Sequence, residues 1–280
     1  MKYSLLIFLV LIGFNIFIWH AVLVRGQDVL NMYFLDVGQG DSELIILPGG
    51  VKILIDGGPN KGVLYELAQI VPETDRYIDL IVMTHAQLDH FEGLSDVVDR
   101  YKVGAFITSG REGASEAWRN FESKLKEEKI PVILVEAGDR IRYKDSYADV
   151  LSPDRESLVD PEINESSVVL EFNSEGVKSL FTGDMGFVTE NKLVDKFDVN
   201  IDVLKVGHHG SRYATGLNFL REATPRVSVI EVGAKNTFGH PTQATLSRLA
   251  AIGSSIYRTD QNGLVTITAK DGLIGVSAEK

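Results

Sequence analysis

Leu80-Ile81-Val82-Met83-Thr84-His85-Ala86-Gln87-Leu88-Asp89-His90 divides into two halves of opposite character. The first, LIVM, is a continuous apolar run of the kind buried on both faces of a parallel sheet. The second crowds two imidazoles, a carboxylate and a primary amide into the turn that follows. A buried strand ending in such a turn delivers polar groups to the edge of a sheet, where they can meet others.

Outward from this stretch the same arrangement recurs. Phe181-Thr182-Gly183-Asp184 ends a second apolar strand, and Val206-Gly207-His208-His209-Gly210-Ser211 ends a third. Phe238-Gly239-His240-Pro241 lies in a loop before a helix. Strands are predicted at 30–36, 43–47, 52–56, 80–83, 105–108 and 132–135, then at 148–151, 168–172, 179–182, 203–206, 227–231, 255–257 and 264–268. Helices are predicted at 63–71, 94–101, 115–128, 189–196, 215–222 and 243–251, the last with Thr242 as its N-cap. Residues 152–164, with two prolines and many acids, read as a surface loop. This alternation indicates an α/β domain. So many strands suit two sheets packed face to face with helices outside better than one flat sheet.

The chain has 280 residues, 44% of them hydrophobic and 24% charged, with no cysteine and a formal charge of -11. Disulfides and cysteine-ligated zinc or iron–sulfur sites are therefore excluded. One long apolar run, Tyr3–Val24, has 22 residues, which as a helix would span about 33 Å and cross a bilayer core of about 30 Å. It exceeds the apolar region of a signal peptide and lacks a small-x-small cleavage site. Residues 1–26 are expected to be a membrane anchor, or alternatively a signal for secretion. Residues 27–280 are then a domain outside the cytoplasmic membrane, carrying 26 basic against 39 acidic residues once Lys2 and Arg25 are set aside.

Of six histidines, His20 lies in the apolar run. The other five, His85, His90, His208, His209 and His240, all fall at strand ends or loops. With Asp89 and Asp184 they form a set of imidazoles and carboxylates suited to zinc, manganese or iron.

His85-x-x-x-Asp89-His90 resembles the HxHxDH signature of the metallo-β-lactamase fold superfamily. The wider set resembles the β-lactamase-like domain of ComEC competence proteins. It comprises FLDVGQGDS (34–42), LIDGG (54–58), THAQLDHFEGL (84–94), NESSVVL (164–170), LFTGD (180–184), LKVGHHGS (204–211), FGHP (238–241) and RTDQNG (258–263). The resemblance covers residues 29–270 and does not include a multi-helix channel. It implies a four-layer αββα sandwich holding one or two divalent metal ions, zinc or manganese. Asp89, His90, Asp184 and one of His208/His209 would form one site, with His208 preferred as the first residue after its strand. His85 would belong to a neighbouring site that shares Asp184. Asp89, Asp184 and His240 would serve catalysis, His240 as proton donor or phosphate contact. Asp36, Asp41 and Asp56 would shape the loops. Lys205, Ser211 and Arg212, with Lys235, are candidate phosphate contacts.

The sequence departs from the signature at Gln87, where histidine or aspartate is usual, and in the Asn164–Ser167 interval, where many members supply another histidine. The second site is thus expected to be weak. The resemblance implies a metal-dependent phosphodiesterase or nuclease with DNA as a candidate partner. The alternatives are hydrolysis of another ester (a choline phosphate, lactone or lipid headgroup) and a non-catalytic binding module.

Overall fold

Among the described residues, fifteen strands form the framework. In chain order they are β1 (Leu30–Phe34), β2 (Glu43–Ile46), β3 (Lys52–Ile55), β4 (Tyr77–Val82), β5 (Lys102–Thr108), β6 (Val132–Leu134), β7 (Arg140–Tyr143) and β8 (Ser146–Ser152). Then come β9 (Val169–Ser174), β10 (Val177–Phe181), β11 (Val203–Lys205), β12 (Val227–Ile230), β13 (Ser255–Arg258), β14 (Val265–Lys270) and β15 (Leu273–Ala278). The computed structural model describes residues 2–25 and 28–280, without the side chains of residues 2, 4, 6 and 19–25. The expected domain boundary at residue 26 falls outside the described residues.

One sheet has the order β15-β14-β1-β2-β3-β4-β5-β6 and the other β13-β12-β11-β10-β9-β8-β7. Each is half parallel, through β3 to β6 and through β10 to β13. Three cores separate four layers. Phe34, Ile53, Phe172, Phe181 and Val229 pack between the sheets. Leu54, Ile81 and Phe106 meet Phe91, Trp118 and Phe121 of the helices outside the first sheet. Leu180 and Leu204 meet Phe219, Leu220 and Leu249 outside the second. The expected αββα sandwich is what the chain forms. Strands such as β3 and β12, buried at every position, read as mainly apolar runs, interrupted only by Lys52 and Ser228, because both their faces are covered.

Three elements depart from expectation. Strands β7 and β15 were not predicted: both lie at sheet edges, where RIRY and LIGVSA alternate between exposed and half-buried positions and carry little apolar signal. The helix expected from residue 94 begins at Leu88 and runs to Arg100, so Asp89 and His90 ride on its first turn. Gly93 masks it in the sequence, since glycine weakens a helix interior. It is needed because a Cβ there would collide with the carbonyl oxygen of Gly57. Thr242 caps Gln243–Ala251 as expected, accepting the Thr245 N–H.

Lys2–Arg25 form one continuous helix. Its described side chains include an exposed row at Ile7–Ile12 and Phe14. Among the described residues no helix is long and apolar enough to cross a membrane.

Candidate metal centre

The parallel strands converge on one edge of the sandwich. Asp56 follows β3, Thr84 and His85 follow β4, Asp184 follows β10, His208 and His209 follow β11, and Glu231 follows β12. Ligands gather at the carboxyl ends of parallel strands because the chain there turns from sheet to helix, leaving loops free to carry polar groups.

Each imidazole is oriented by a partner behind it. Asp56 is fully buried; its Oδ1 accepts the Thr84 N–H at 2.8 Å, and its Oδ2 accepts the Thr84 hydroxyl at 2.6 Å and His90 Nδ1 at 2.7 Å. With its proton committed to Asp56, the Thr84 oxygen is free to accept His85 Nδ1, 3.0 Å away. His209 Nδ1 faces the carbonyl oxygen of Glu231 at 3.0 Å and Asp41 Oδ1 at 3.1 Å. All three rings therefore donate from Nδ1 to oxygen and leave Nε2 without a partner among the described residues, the arrangement that prepares a histidine to ligate a metal.

Inside the edge, His90 Nε2 lies 3.4 Å from Asp184 Oδ2, and His209 Nε2 lies 3.4 Å from Asp89 Oδ2 and 3.7 Å from Asp184 Oδ2. Nε2 of His85, His90 and His209 and Oδ1 of Asp184 are buried with no hydrogen-bond partner among the described residues. Unpaired buried polar atoms are costly, and here they share one centre. Asp89, His90 and His209 bring ligand atoms within 4.8 Å of one another, as do His85, His90 and Asp184.

The electrostatics agree. Burial would strip the proton from His90, yet the carboxylates of Asp184, Asp56 and Asp41 outweigh it and hold its pKa well above the usual histidine value. At His209 burial is likewise overcome by Asp184 and Asp41, raising it to about 10. Burial raises Asp89 and Asp184, but the neighbouring imidazoles prevail, bringing Asp89 to about 2 and Asp184 well below the usual range. At His85 burial and His90 outweigh Asp184, Asp89 and Asp41 and lower it to about 3. The carboxylates thus demand positive charge, which protons on His90 and His209 supply and a divalent cation would supply instead. Nitrogen and oxygen donors of this kind fit zinc or manganese.

The expected residues are not all placed alike. His208, the expected ligand of the pair, and His209 are placed differently: His209 is buried and aimed inward, while His208 is a third exposed, with Nε2 3.8 Å from Asp184 Oδ2. Lys205 is not a phosphate contact. It is fully buried, pairs with Asp41 and donates to the Gly183 carbonyl at 3.1 Å, so a substrate cannot reach it. Ser211 is also buried, its hydroxyl accepting the Tyr213 N–H, whereas Arg212 and Lys235 are exposed. Asp56 shapes the site as expected. Asp41 does more than shape a loop, since it lies between Lys205, His209 and His90. Asp36 stands apart and pairs with Lys280 at 3.6 Å. A cleft of about 440 Å³ opens onto the centre, lined by Gln39, Pro59, Gln87, Leu88, Asp89, Asp184, His208, His209, Phe238 and His240. His240 is half-buried in its wall, with its ring 5.9 Å from that of His208.

Sequence reasoning missed the buried group behind Asp41. Glu43 and Glu231 lie against it, Glu43 raised to about 8 by burial and Glu231 also raised by burial. Single acids inside strand patterns gave no signal that they would meet.

Comparison with known proteins gives a consistent picture. ComE operon protein 3 of Bacillus subtilis (strain 168) is 28% identical over 276 residues, covering 92% of this chain and 35% of that protein. Competence protein ComA of Neisseria gonorrhoeae is 29% identical over 251 residues, covering 88% of this chain and 33% of that protein. The chain thus spans about a third of the length of these relatives. Among solved structures, the metallo-beta-lactamase fold protein YhfI from Bacillus subtilis superposes with a TM-score of 0.56 at 11% identity, over 89% of this chain and all of that one, and shows a shared fold. The profile of the metallo-beta-lactamase superfamily matches residues 35–233, most of the sandwich and every candidate strand-end residue from His85 to His209, and the chain belongs to that superfamily.

Proposed function

We propose that the protein is a metal-dependent phosphodiesterase, acting on DNA or a related phosphodiester. The observation that carries the reading is the convergence of unpartnered His90 Nε2, His209 Nε2 and Asp184 Oδ1 with Asp89, of which Asp89, Asp184 and His209 line an open cleft. Asp89, His90, Asp184 and His209 would hold the cation, with His85 nearest to a neighbouring position. A divalent cation there lowers the pKa of a water toward neutrality and polarises a phosphoryl oxygen.

The chain's own groups do the rest. Asp89 is kept ionised and its side chain is 31% exposed on the cleft, so it can accept a hydrogen bond from a water and orient it. Asp184 holds negative charge between the histidines. His240 has an unpartnered Nδ1 in the cleft wall. Burial and then His208 lower its pKa, so at neutral pH it is a neutral donor toward a leaving oxygen. Arg212, exposed beside Tyr213, supplies the accessible cation that Lys205 does not. Competence-protein relatives support DNA as the substrate to try first. The net charge of -11 supports a second reading, hydrolysis of a smaller ester, because an acidic surface repels a polyanion.

We place residues 1–26 at a membrane, supported by the exposed apolar row on the helix Lys2–Arg25, with the domain from residue 27 outside the cytoplasm. Hydrolysis of bis(p-nitrophenyl) phosphate and of a labelled oligonucleotide, with zinc or manganese added to chelator-treated protein, tests the activity. Turnover of the small diester alone supports the second reading, and turnover of neither refutes phosphodiester hydrolysis. Protease applied to intact cells tests the placement, which full protection of the domain would overturn.

A further inference from the structure

His208 differs from the other imidazoles of the centre in what stands behind it. His85, His90 and His209 each have an oxygen acceptor at Nδ1. At His208 the neighbour of Nδ1 is a donor, the Asn164 amide nitrogen, 3.4 Å away. Asn164 is held in turn by Gln87, whose Nε2 donates to Asn164 Oδ1 at 2.7 Å. A ring nitrogen that accepts a hydrogen bond carries no proton, so a neutral His208 has its proton on Nε2. A protonated Nε2 donates and does not ligate.

The amide pair is firmly seated. Gln87 is the N-cap residue of Leu88–Arg100, with extended backbone. Asn164 belongs to the turn Ile163–Ser166, which is tied down by its carbonyl accepting the Ser167 hydroxyl at 2.7 Å and by Glu165 accepting Thr189 Oγ1 at 2.6 Å. These are the two positions at which a second metal would need strong ligands. Asn164 Oδ1 is already engaged by Gln87. His90 Nε2, which the His85–His90–Asp184 group would need, is shared with the Asp89–His90–His209 group. Only His85 and Asp184 remain, so the residues present do not fit a second cation.

We propose that Gln87 and Asn164 form an amide relay that closes the second metal position and fixes His208 as a hydrogen-bond donor to a substrate oxygen. The proposal deepens the hydrolase reading and rests on it. Gln87 is then a working part and not merely a lost ligand, and the pair acts through His208, as positioning residues.

Two measurements on the full chain, made without substrate, test it. The first is zinc content after gel filtration, where one zinc per chain is expected and two would overturn the proposal. The second is the ¹⁵N spectrum of histidine-labelled, zinc-loaded protein, with His208 assigned by His208→Gln. His208 protonated on Nε2 is expected; a proton on Nδ1 would overturn the proposal. Asn164→Asp replaces the donor with an acceptor and should move the His208 proton to Nδ1 and raise zinc toward two per chain, whereas an unchanged tautomer in that variant refutes the relay. The zinc count needs no variant, and the tautomer measurement needs His208→Gln only to assign one signal. Inactivity toward bis(p-nitrophenyl) phosphate would count against the hydrolase reading, while the zinc count and tautomer judge the relay separately.

Discussion

Replacing Asp56 by asparagine should weaken metal binding without removing any ligand. Asp56 accepts three hydrogen bonds, two from Thr84 and one from His90 Nδ1. Asparagine has one accepting oxygen, and whichever way its amide turns, its NH2 meets a donor. If it faces His90, then Nδ1 must accept, the ring proton moves to Nε2, and the inward nitrogen ceases to be a ligand. If it faces the Thr84 N–H, that buried donor loses its acceptor and the Thr84 hydroxyl that orders His85 shifts. Loss of such an outer partner costs about 10–100-fold in metal affinity, or about 1.4–2.7 kcal/mol. A buried unsatisfied group adds about 1–3 kcal/mol to the loss of stability without metal.

The assay is zinc competition against a chromophoric chelator, with thermal melts in zinc and in EDTA. The expected result is a zinc affinity reduced at least tenfold and a smaller zinc-induced rise in melting temperature. An Asp56→Asn protein that melts lower in EDTA yet binds zinc within twofold of wild type would refute the reasoning, because Asp56 would then support the loops and not the imidazoles.

Asp184→Ala should abolish stoichiometric zinc binding, since Asp184 Oδ2 lies within 4 Å of His90, His208 and His209; elemental analysis of the purified variant checks this. Gly93→Ala should lower the melting temperature markedly or prevent folding, because a methyl group there meets the Gly57 and Asn60 carbonyl oxygens, and circular dichroism melts read it. Glu190 is buried, accepts the Thr215 and Gly216 N–H groups, and is raised by burial from 4.5 to about 7. The native state therefore keeps a proton that the unfolded chain loses, so this contribution is full below pH 4.5 and is lost as pH rises through about 7, in total about 3 kcal/mol. Urea unfolding of wild type and Glu190→Gln at pH 5 and pH 8 should show the wild type losing about 2.5 kcal/mol more stability between them, the remainder being lost already below pH 5.

The four layers were legible because β3, β11 and β12 are buried at every position and β4 and β10 end in buried apolar residues, which leaves short apolar runs such as Ile53–Ile55 and Leu80–Val82. The edge strands β7 and β15 were not, because an edge has one partner and little burial to enforce a pattern. The start of Leu88–Arg100 was hidden by Gly93, whose helix-weakening lack of a side chain serves a close approach to Gly57 that only the tertiary structure reveals.

At the site, residue type was legible and direction was not. His85, Asp89, His90, Asp184 and the His208–His209 pair announce themselves by chemistry at strand ends. Which nitrogen faces the cleft depends on what stands behind each ring, and those partners come from distant segments: Asp56 behind His90, Glu231 and Asp41 behind His209, Asn164 behind His208. The same gap explains Lys205. One position along β11 separates a side chain that faces the edge from one that faces inward, and Asp41, 164 residues earlier, settles it by pairing with the ammonium. His208 and His209 are adjacent, and both have left-handed backbone, at φ 50° and 51°. That conformation is costly for a side chain larger than glycine. It lets two neighbours enter one cleft, and their partners then divide them: a carbonyl oxygen stands behind His209 and an amide nitrogen behind His208, which is the division the proposed roles of ligand and donor rest on.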